Sequence, residues 1–106
     1  MTFGIIPNIT KDGILSVVNM IAVKLKSQGF DFILSESLKD FQDKFTPILN
    51  EADLLPHEQL SAKSDIVISL GGDGTMLNTA YEVRKHNTPM LGINMGKLGF
   101  LAYTFH

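Results

Sequence analysis

The chain has 106 residues, no cysteine and a formal net charge of −2, from nine Lys and Arg against eleven Asp and Glu. This length fits a single domain, and the absence of cysteine excludes a disulfide framework. The slightly acidic charge argues against a nucleic-acid partner, which would need a basic surface. No apolar run approaches the roughly 20 residues of a membrane-spanning helix.

Short apolar runs alternate with segments of helical period along the chain. In chain order the sequence predicts a strand over Phe3–Pro7, a helix over Lys11–Gln28 and a strand over Phe30–Leu34. A segment with helical spacing follows over Ser35–Asn50, interrupted by Pro47, and then a mixed polar stretch over Glu51–Ser64. The last predicted elements are a strand over Asp65–Leu70, a helix over Thr75–His86 and a strand over Met90–Ile93. Thr10 or Asp12 is expected to cap the first helix, and Gly29 to end it.

This alternation predicts an α/β fold with a parallel sheet and right-handed crossovers. The strands are apolar without polar alternation, which is typical of a sheet covered on both faces. After the last predicted strand, Asn94–Gly99 is predicted to be a loop, followed by the apolar run Phe100–Tyr103.

The most informative residues are Gly71, Gly72, Asp73, Gly74 and Thr75, where a predicted strand passes into a predicted helix. Glycines let a backbone approach a ligand closely and adopt positive φ, and the first N–H groups of the helix point at the same loop. This combination is typical of a phosphate site. In parallel sheets, ligands bind at this end of the strands.

Asp73 is the unexpected member, because a carboxylate repels phosphate. It can hold a phosphate-bridging metal, accept a proton from a hydroxyl that attacks a phosphoryl group, or hydrogen-bond a ribose hydroxyl. The structural alternative is that Asp73 only caps the following helix.

The predicted Asn94–Gly99 loop can form a second wall of the same cleft if its strand neighbours the one that ends at Leu70. Asn94 then hydrogen-bonds a sugar or phosphate, or serves only in a turn. Phe100 offers a ring to a base or nicotinamide, or packs in the core. We interpret Lys97 as a solvated loop charge rather than as a phosphate ligand.

Other catalytic and nucleotide motifs are absent. The sequence has no G-x-G-x-x-G, no Walker A motif and no G-x-S-x-G nucleophile elbow. The three histidines lack metal-ligand spacing, and no residue is predicted as a protein ligand of a metal.

Two motifs together resemble the N-terminal domain of NAD kinases. They are the strand followed by Gly71-Gly72-Asp73-Gly74-Thr75-Met76-Leu77, and the run Gly92-Ile93-Asn94-x-Gly96-x-Leu98-Gly99-Phe100-Leu101. The opening residues, Phe3 to Asn8, also fit the family's first strand. The GGDG sequence is shared with phosphofructokinases and with lipid kinases, whereas the second motif is much more specific.

The resemblance implies a Rossmann-like three-layer domain with a mostly parallel sheet of about four to five strands, covering residues 1–106. It implies phosphorylation of the 2′-hydroxyl of the adenosine ribose of NAD to give NADP, with ATP and its magnesium ion, or polyphosphate, as donor. Asp73 would be the general base. The implied substrate-binding residues are Gly71, Gly72, Asp73, Gly74, Thr75, Asn78, Asn94 and Phe100.

Asn78 departs from the family, whose members often have Arg or His there, so it can hydrogen-bond but supplies no charge. The resemblance further implies a homo-oligomer. A cytoplasmic location is expected, and no membrane partner is expected because no amphipathic segment demands one.

Family members run to about twice this length or more, which is consistent with a second, β-rich domain. The chain is therefore expected to be a fragment of a larger protein, and to be inactive alone because phosphoryl transfer depends on positioning. The alternatives are another GGDG kinase acting on a lipid or sugar, or a non-catalytic module that binds a dinucleotide.

Overall fold

A computed structural model of the chain describes residues 1–97 and 99–105, with the side chains of residues 1–95. These residues form one six-stranded sheet in the order β3-β2-β1-β4-β5-β6. The strands are β1 (Thr2–Pro7), β2 (Asp31–Ser35), β3 (Leu54–Leu55), β4 (Ile66–Gly71), β5 (Met90–Lys97) and β6 (Gly99–Phe105). The first five in the sheet run parallel, and β6 is antiparallel to β5. The mostly parallel α/β sheet is confirmed, with one strand more than predicted.

The helices connect these strands. They are α1 (Ile14–Ser27), α2 (His57–Lys63) and α3 (Asp73–Arg84), with two 3₁₀-helices over Glu36–Lys44 and Leu49–Glu51. The segment with helical spacing before Pro47 is thus a 3₁₀-helix, and the mixed stretch after it holds β3 and α2.

The predicted cap of α1 is wrong at one end and right at the other. Neither Thr10 nor Asp12 caps the helix, since its N-cap is Gly13, with φ 75° and no side-chain hydrogen bond. The Thr10 hydroxyl instead donates to the Asn8 Oδ1 atom at 2.7 Å. Gly29 follows the helix with φ 80°, as a terminating glycine should.

Side-chain alternation along the strands builds a core on each face of the sheet. On one face Ile5, Ile68 and Leu70 pack with the apolar side of α1. On the other face Ile6 and Val67 pack with residues of α2 and α3. The domain therefore has three layers, as the resemblance implies.

The strand order of the sheet reverses its direction between the neighbouring strands β1 and β4. The chain leaves β1 for α1 on one face and leaves β4 for α3 on the other. Open α/β sheets bind ligands in the crevice that this reversal creates at the carboxyl ends of the strands. Here the crevice lies between the residues after Pro7 and the residues after Leu70, which are paired in register.

The prediction of a loop over Asn94–Gly99 is wrong as far as Lys97, because these residues belong to a strand. β5 continues to Lys97 because β6 pairs with it as a hairpin, in which Asn94 opposes Leu101. Within the described part of the chain, no helix combines the length and apolar character needed to cross a bilayer.

Candidate active site

Among the three glycines where β4 passes into α3, Gly71 and Gly74 have different surroundings. Gly71 ends β4, where a Cβ atom would lie 2.7 Å from the Thr75 Oγ1 atom and 3.0 Å from the Asn8 Cβ atom. Internal packing therefore requires glycine at 71. At Gly74 a Cβ atom would meet no protein atom within 4 Å. The predicted positive φ is wrong for this loop, because the glycines with positive φ in the described chain are Gly13 and Gly29.

Asp73 is the first residue of α3, and its carboxylate is exposed at the crevice. Its Oδ1 atom accepts a hydrogen bond of 2.7 Å from the Nδ2 atom of Asn94. The N-cap of α3 is Gly72, so Asp73 is the first helical residue and does not occupy the cap position. The alternative in which Asp73 only caps the helix is therefore wrong.

Asn94 reaches Asp73 because of the strand register. β4 and β5 are neighbours, and Asn94 pairs with Gly71, two residues before Asp73. Asn94 is only 2% exposed. The turn alternative for Asn94 fails because the residue lies inside a strand. A buried amide thus fixes one oxygen of an exposed carboxylate and leaves the group open to a substrate.

Thr75 and Asn78 lie on the first turns of α3, beside an open depression of about 340 Å³ that Asn8, His57 and Glu82 also line. The Thr75 Oγ1 atom accepts a hydrogen bond of 3.1 Å from the Asn8 Nδ2 atom. This bond ties the loop after β1 to the start of α3. Asn78 is exposed and lines this depression, whereas Asp73 and Asn94 do not line it.

Two residues of the loop after β1 were missed by the sequence prediction. Asn8 contacts Thr75 as described, and the Lys11 ammonium lies beside Gly72, where a Cβ atom would be 3.8 Å from its Nζ atom. A signal existed, because the order reversal between β1 and β4 brings their two outgoing loops together. Using this signal requires knowledge of the strand order, which the sequence pattern alone does not reveal.

Comparison with known proteins places this geometry in a family. The model of the ATP-NAD kinase N-terminal domain matches residues 3–104. The chain belongs to the ATP-NAD kinase family. The NAD kinases of Chlorobium phaeobacteroides (strain BS1) and Pyrococcus furiosus are each 37% identical to it, over 103 and 102 residues that cover 96% of the chain. The NAD kinase of Legionella pneumophila (strain Paris) is 44% identical over 74 residues, or 68% of the chain.

The chain spans about a third of the length of the NAD kinases that it matches along most of its residues. The alignments cover 33% of the Chlorobium protein and 34% of the Pyrococcus protein. The ATP-NAD kinase N-terminal domain is thus the part of the family that these residues represent. Of the predicted site residues, Phe100 lies on β6, and its side chain falls outside the described residues, as does that of Lys97.

A serine, a histidine and a glutamate form a hydrogen-bonded chain at the far side of the depression. The His57 ring lies 2.8 Å from the Ser35 Oγ atom through Nε2 and 2.8 Å from the Glu82 Oε2 atom through Nδ1. This is the order of a hydrolase nucleophile, its base and the group that orients the base. Ser35, however, is completely buried, so no substrate reaches its hydroxyl. In this ATP-NAD kinase domain the three hydrogen-bonded side chains connect the end of β2 to α2 and α3.

Proposed function

We propose that the full-length gene product containing this chain phosphorylates the 2′-hydroxyl of the adenosine ribose of NAD and releases NADP. The observation that carries the proposal is the exposed Asp73 carboxylate, held by buried Asn94 in a domain of the ATP-NAD kinase family. A fixed carboxylate at the crevice suits a general base for a hydroxyl nucleophile.

In the proposed reaction the ribose 2′-oxygen bonds to the terminal phosphorus of the donor while the bond from that phosphorus to its bridging oxygen breaks. The hydroxyl proton passes to Asp73 and then to solvent. The donor leaves as ADP or as a shortened polyphosphate. Magnesium enters with ATP and neutralises charge on its phosphates. The residues that are proposed to surround the substrates are Gly71, Gly72, Gly74, Thr75, Asn78, Asn94 and Phe100.

Several further properties are part of the same proposal. The 106 residues alone are expected to support little transfer, since they span about a third of the related NAD kinases. The full-length product is proposed to be a cytoplasmic homo-oligomer that binds neither nucleic acid nor membranes.

The reaction is tested by offering terminally labelled ATP, with magnesium, to the full-length product together with NAD, diacylglycerol or a hexose as acceptor. Label transferred to NAD supports the proposal. Label that appears only in the lipid or the sugar replaces it with another GGDG kinase. Dinucleotide binding without transfer to any acceptor, from ATP or polyphosphate, identifies a non-catalytic module.

Asn94→Ala is expected to lower kcat for NADP formation by about 10-fold to 100-fold, because an unanchored Asp73 loses its position and misplacement by about 1 Å carries a cost of this size. Steady-state kinetics of the full-length product measures this change. Asn50→Ala provides the matched control, because Asn50 is exposed on a 3₁₀-helix. A kcat for Asn94→Ala within twofold of the wild-type value contradicts the positioning role.

Gly74→Ala separates a structural glycine from one that makes room for a ligand. The new methyl group meets no protein atom, and alanine is favoured over glycine within a helix by up to about 1 kcal/mol. The free energy of unfolding should therefore stay the same or rise. If the substrate approaches the backbone here, the KM for NAD should rise about tenfold, the effect of one misfitting methyl group.

Urea unfolding and steady-state kinetics of the Gly74→Ala variant give the two readings. A stable variant with an unchanged KM for NAD and an unchanged KM for the donor would show that no substrate approaches Gly74.

A further inference from the structure

Lys11 places a cation beside the Gly71–Gly74 loop. Its Nζ atom would lie 3.8 Å from a Cβ atom at position 72, so the ammonium is next to the open side of Gly72. Gly72 immediately precedes Asp73, the proposed base. The crevice therefore combines a carboxylate with a nearby positive charge.

The surroundings of Lys11 make a purely structural role a weak explanation. The residue is half-buried, whereas lysines are mostly exposed and are almost never fully buried unless paired. Among the side chains of residues 1–95, the ion pairs are Lys26 with Asp31 and His57 with Glu82. Lys11 thus makes no ion pair within this set, and its ammonium lies beside Gly72 at the crevice.

The loop that carries Lys11 is fixed relative to Gly72. The Asn8 N–H donates to the Leu70 carbonyl at 2.7 Å, and the Asn8 side chain donates to Thr75. The Lys11 N–H in turn donates to the Asn8 carbonyl at 3.2 Å. These bonds join the loop after β1 to both sides of the glycine loop, so the backbone that carries the ammonium is held at the crevice.

We propose that the Lys11 ammonium binds the phosphate chain of the phosphoryl donor while Asp73 faces the hydroxyl of the acceptor. The proposal rests on the proposed function. It divides the crevice by charge, since a donor that carries several negative charges is repelled by Asp73 and attracted by Lys11. Lysine is a common phosphate ligand that acts as a point charge. ATP and inorganic polyphosphate share the phosphate chain, so both donors should depend on Lys11.

The test compares Lys11→Ala, Lys11→Met and Lys11→Arg in the full-length product. Lys11→Met keeps the length of the side chain and removes its charge, which separates loss of packing from loss of charge. For Ala and Met, the KM for ATP and for polyphosphate should rise about tenfold or more, the effect of losing a charge-assisted hydrogen bond. The KM for NAD should stay within twofold, and Lys11→Arg should retain most of the donor affinity.

The control is Lys24→Ala, which removes an exposed lysine near the other end of α1. Its kinetics should match the wild type. Binding of inorganic tripolyphosphate, followed by calorimetry, provides a reading that does not depend on activity. The wild type and Lys11→Arg should bind it, and Lys11→Met should bind it about tenfold more weakly.

The outcomes separate this proposal from the proposed function. If the wild type forms NADP while Lys11→Met keeps the wild-type KM for both donors, the role of Lys11 is overturned and the function stands. If the wild type forms no NADP, the function fails, and tripolyphosphate binding still decides the role of Lys11. Binding that is absent in the wild type or unchanged in Lys11→Met overturns it, and binding that weakens in Lys11→Met supports it.

Discussion

Replacing Asp73 with asparagine is expected to lower kcat for NADP formation by about 10²-fold to 10⁴-fold, the contribution of a general base. The substitution removes the negative charge and the proton acceptor while keeping an oxygen that can accept the hydrogen bond from Asn94. The position of the side chain should therefore be retained. The KM for NAD should change by less than about threefold, because the chemical step is affected more than binding.

The matched control is Asp31→Asn, the same chemical change at the amino end of a parallel strand, away from the crevice at the carboxyl ends. Asp31 begins β2, and its side chain is 78% exposed beside Lys26. Such surface pairs contribute little to stability, so this variant should keep the wild-type kcat. If Asp73→Asn also keeps a wild-type kcat, Asp73 is not the base. A large rise in KM with an unchanged kcat would instead make Asp73 a binding residue.

Leu70→Ala is expected to lower the free energy of unfolding of the chain by about 2–5 kcal/mol, the usual effect of deleting a buried leucine side chain. Leu70 is completely buried in the core beneath α1. It is also the residue before Gly71, so the core that holds the sheet together directly supports the glycine loop. Urea unfolding followed by circular dichroism measures the loss.

Leu77→Ala is the matched control for this substitution. Leu77 lies on α3, seven residues further along, and is 73% exposed. Its removal should change the free energy of unfolding by no more than about 0.5 kcal/mol. Equal losses for the two variants would contradict the assignment of Leu70 to the core and of Leu77 to the surface.

The parts of the fold that were predicted correctly rest on local patterns. The run of β-branched residues before Gly71 predicts β4, and the helical period after Thr75 predicts α3, so the position of the glycine loop between them follows directly. Parallel strands buried on both faces leave a continuous apolar signal. The same signal predicts β1 and β2 within one residue of their observed ends.

The parts that failed depend on pairing between distant residues. Asn94–Lys97 is strand because β6 pairs with it, and the glycines at positions 96 and 99 obscure that pairing. The Asp73–Asn94 hydrogen bond depends on the register of β4 and β5. Likewise, the approach of Lys11 to Gly72 depends on the order of the strands. Spacing along the chain contains none of these facts.

NADP formation by the wild-type full-length product tests the proposed kinase activity without relying on any variant. The protein is incubated with NAD and either magnesium and ATP or polyphosphate, and any NADP formed is detected with a dehydrogenase that accepts NADP but not NAD. We predict NADP formation that depends on the phosphoryl donor. If a folded protein that binds NAD forms no NADP with either donor, the protein is not an NAD kinase.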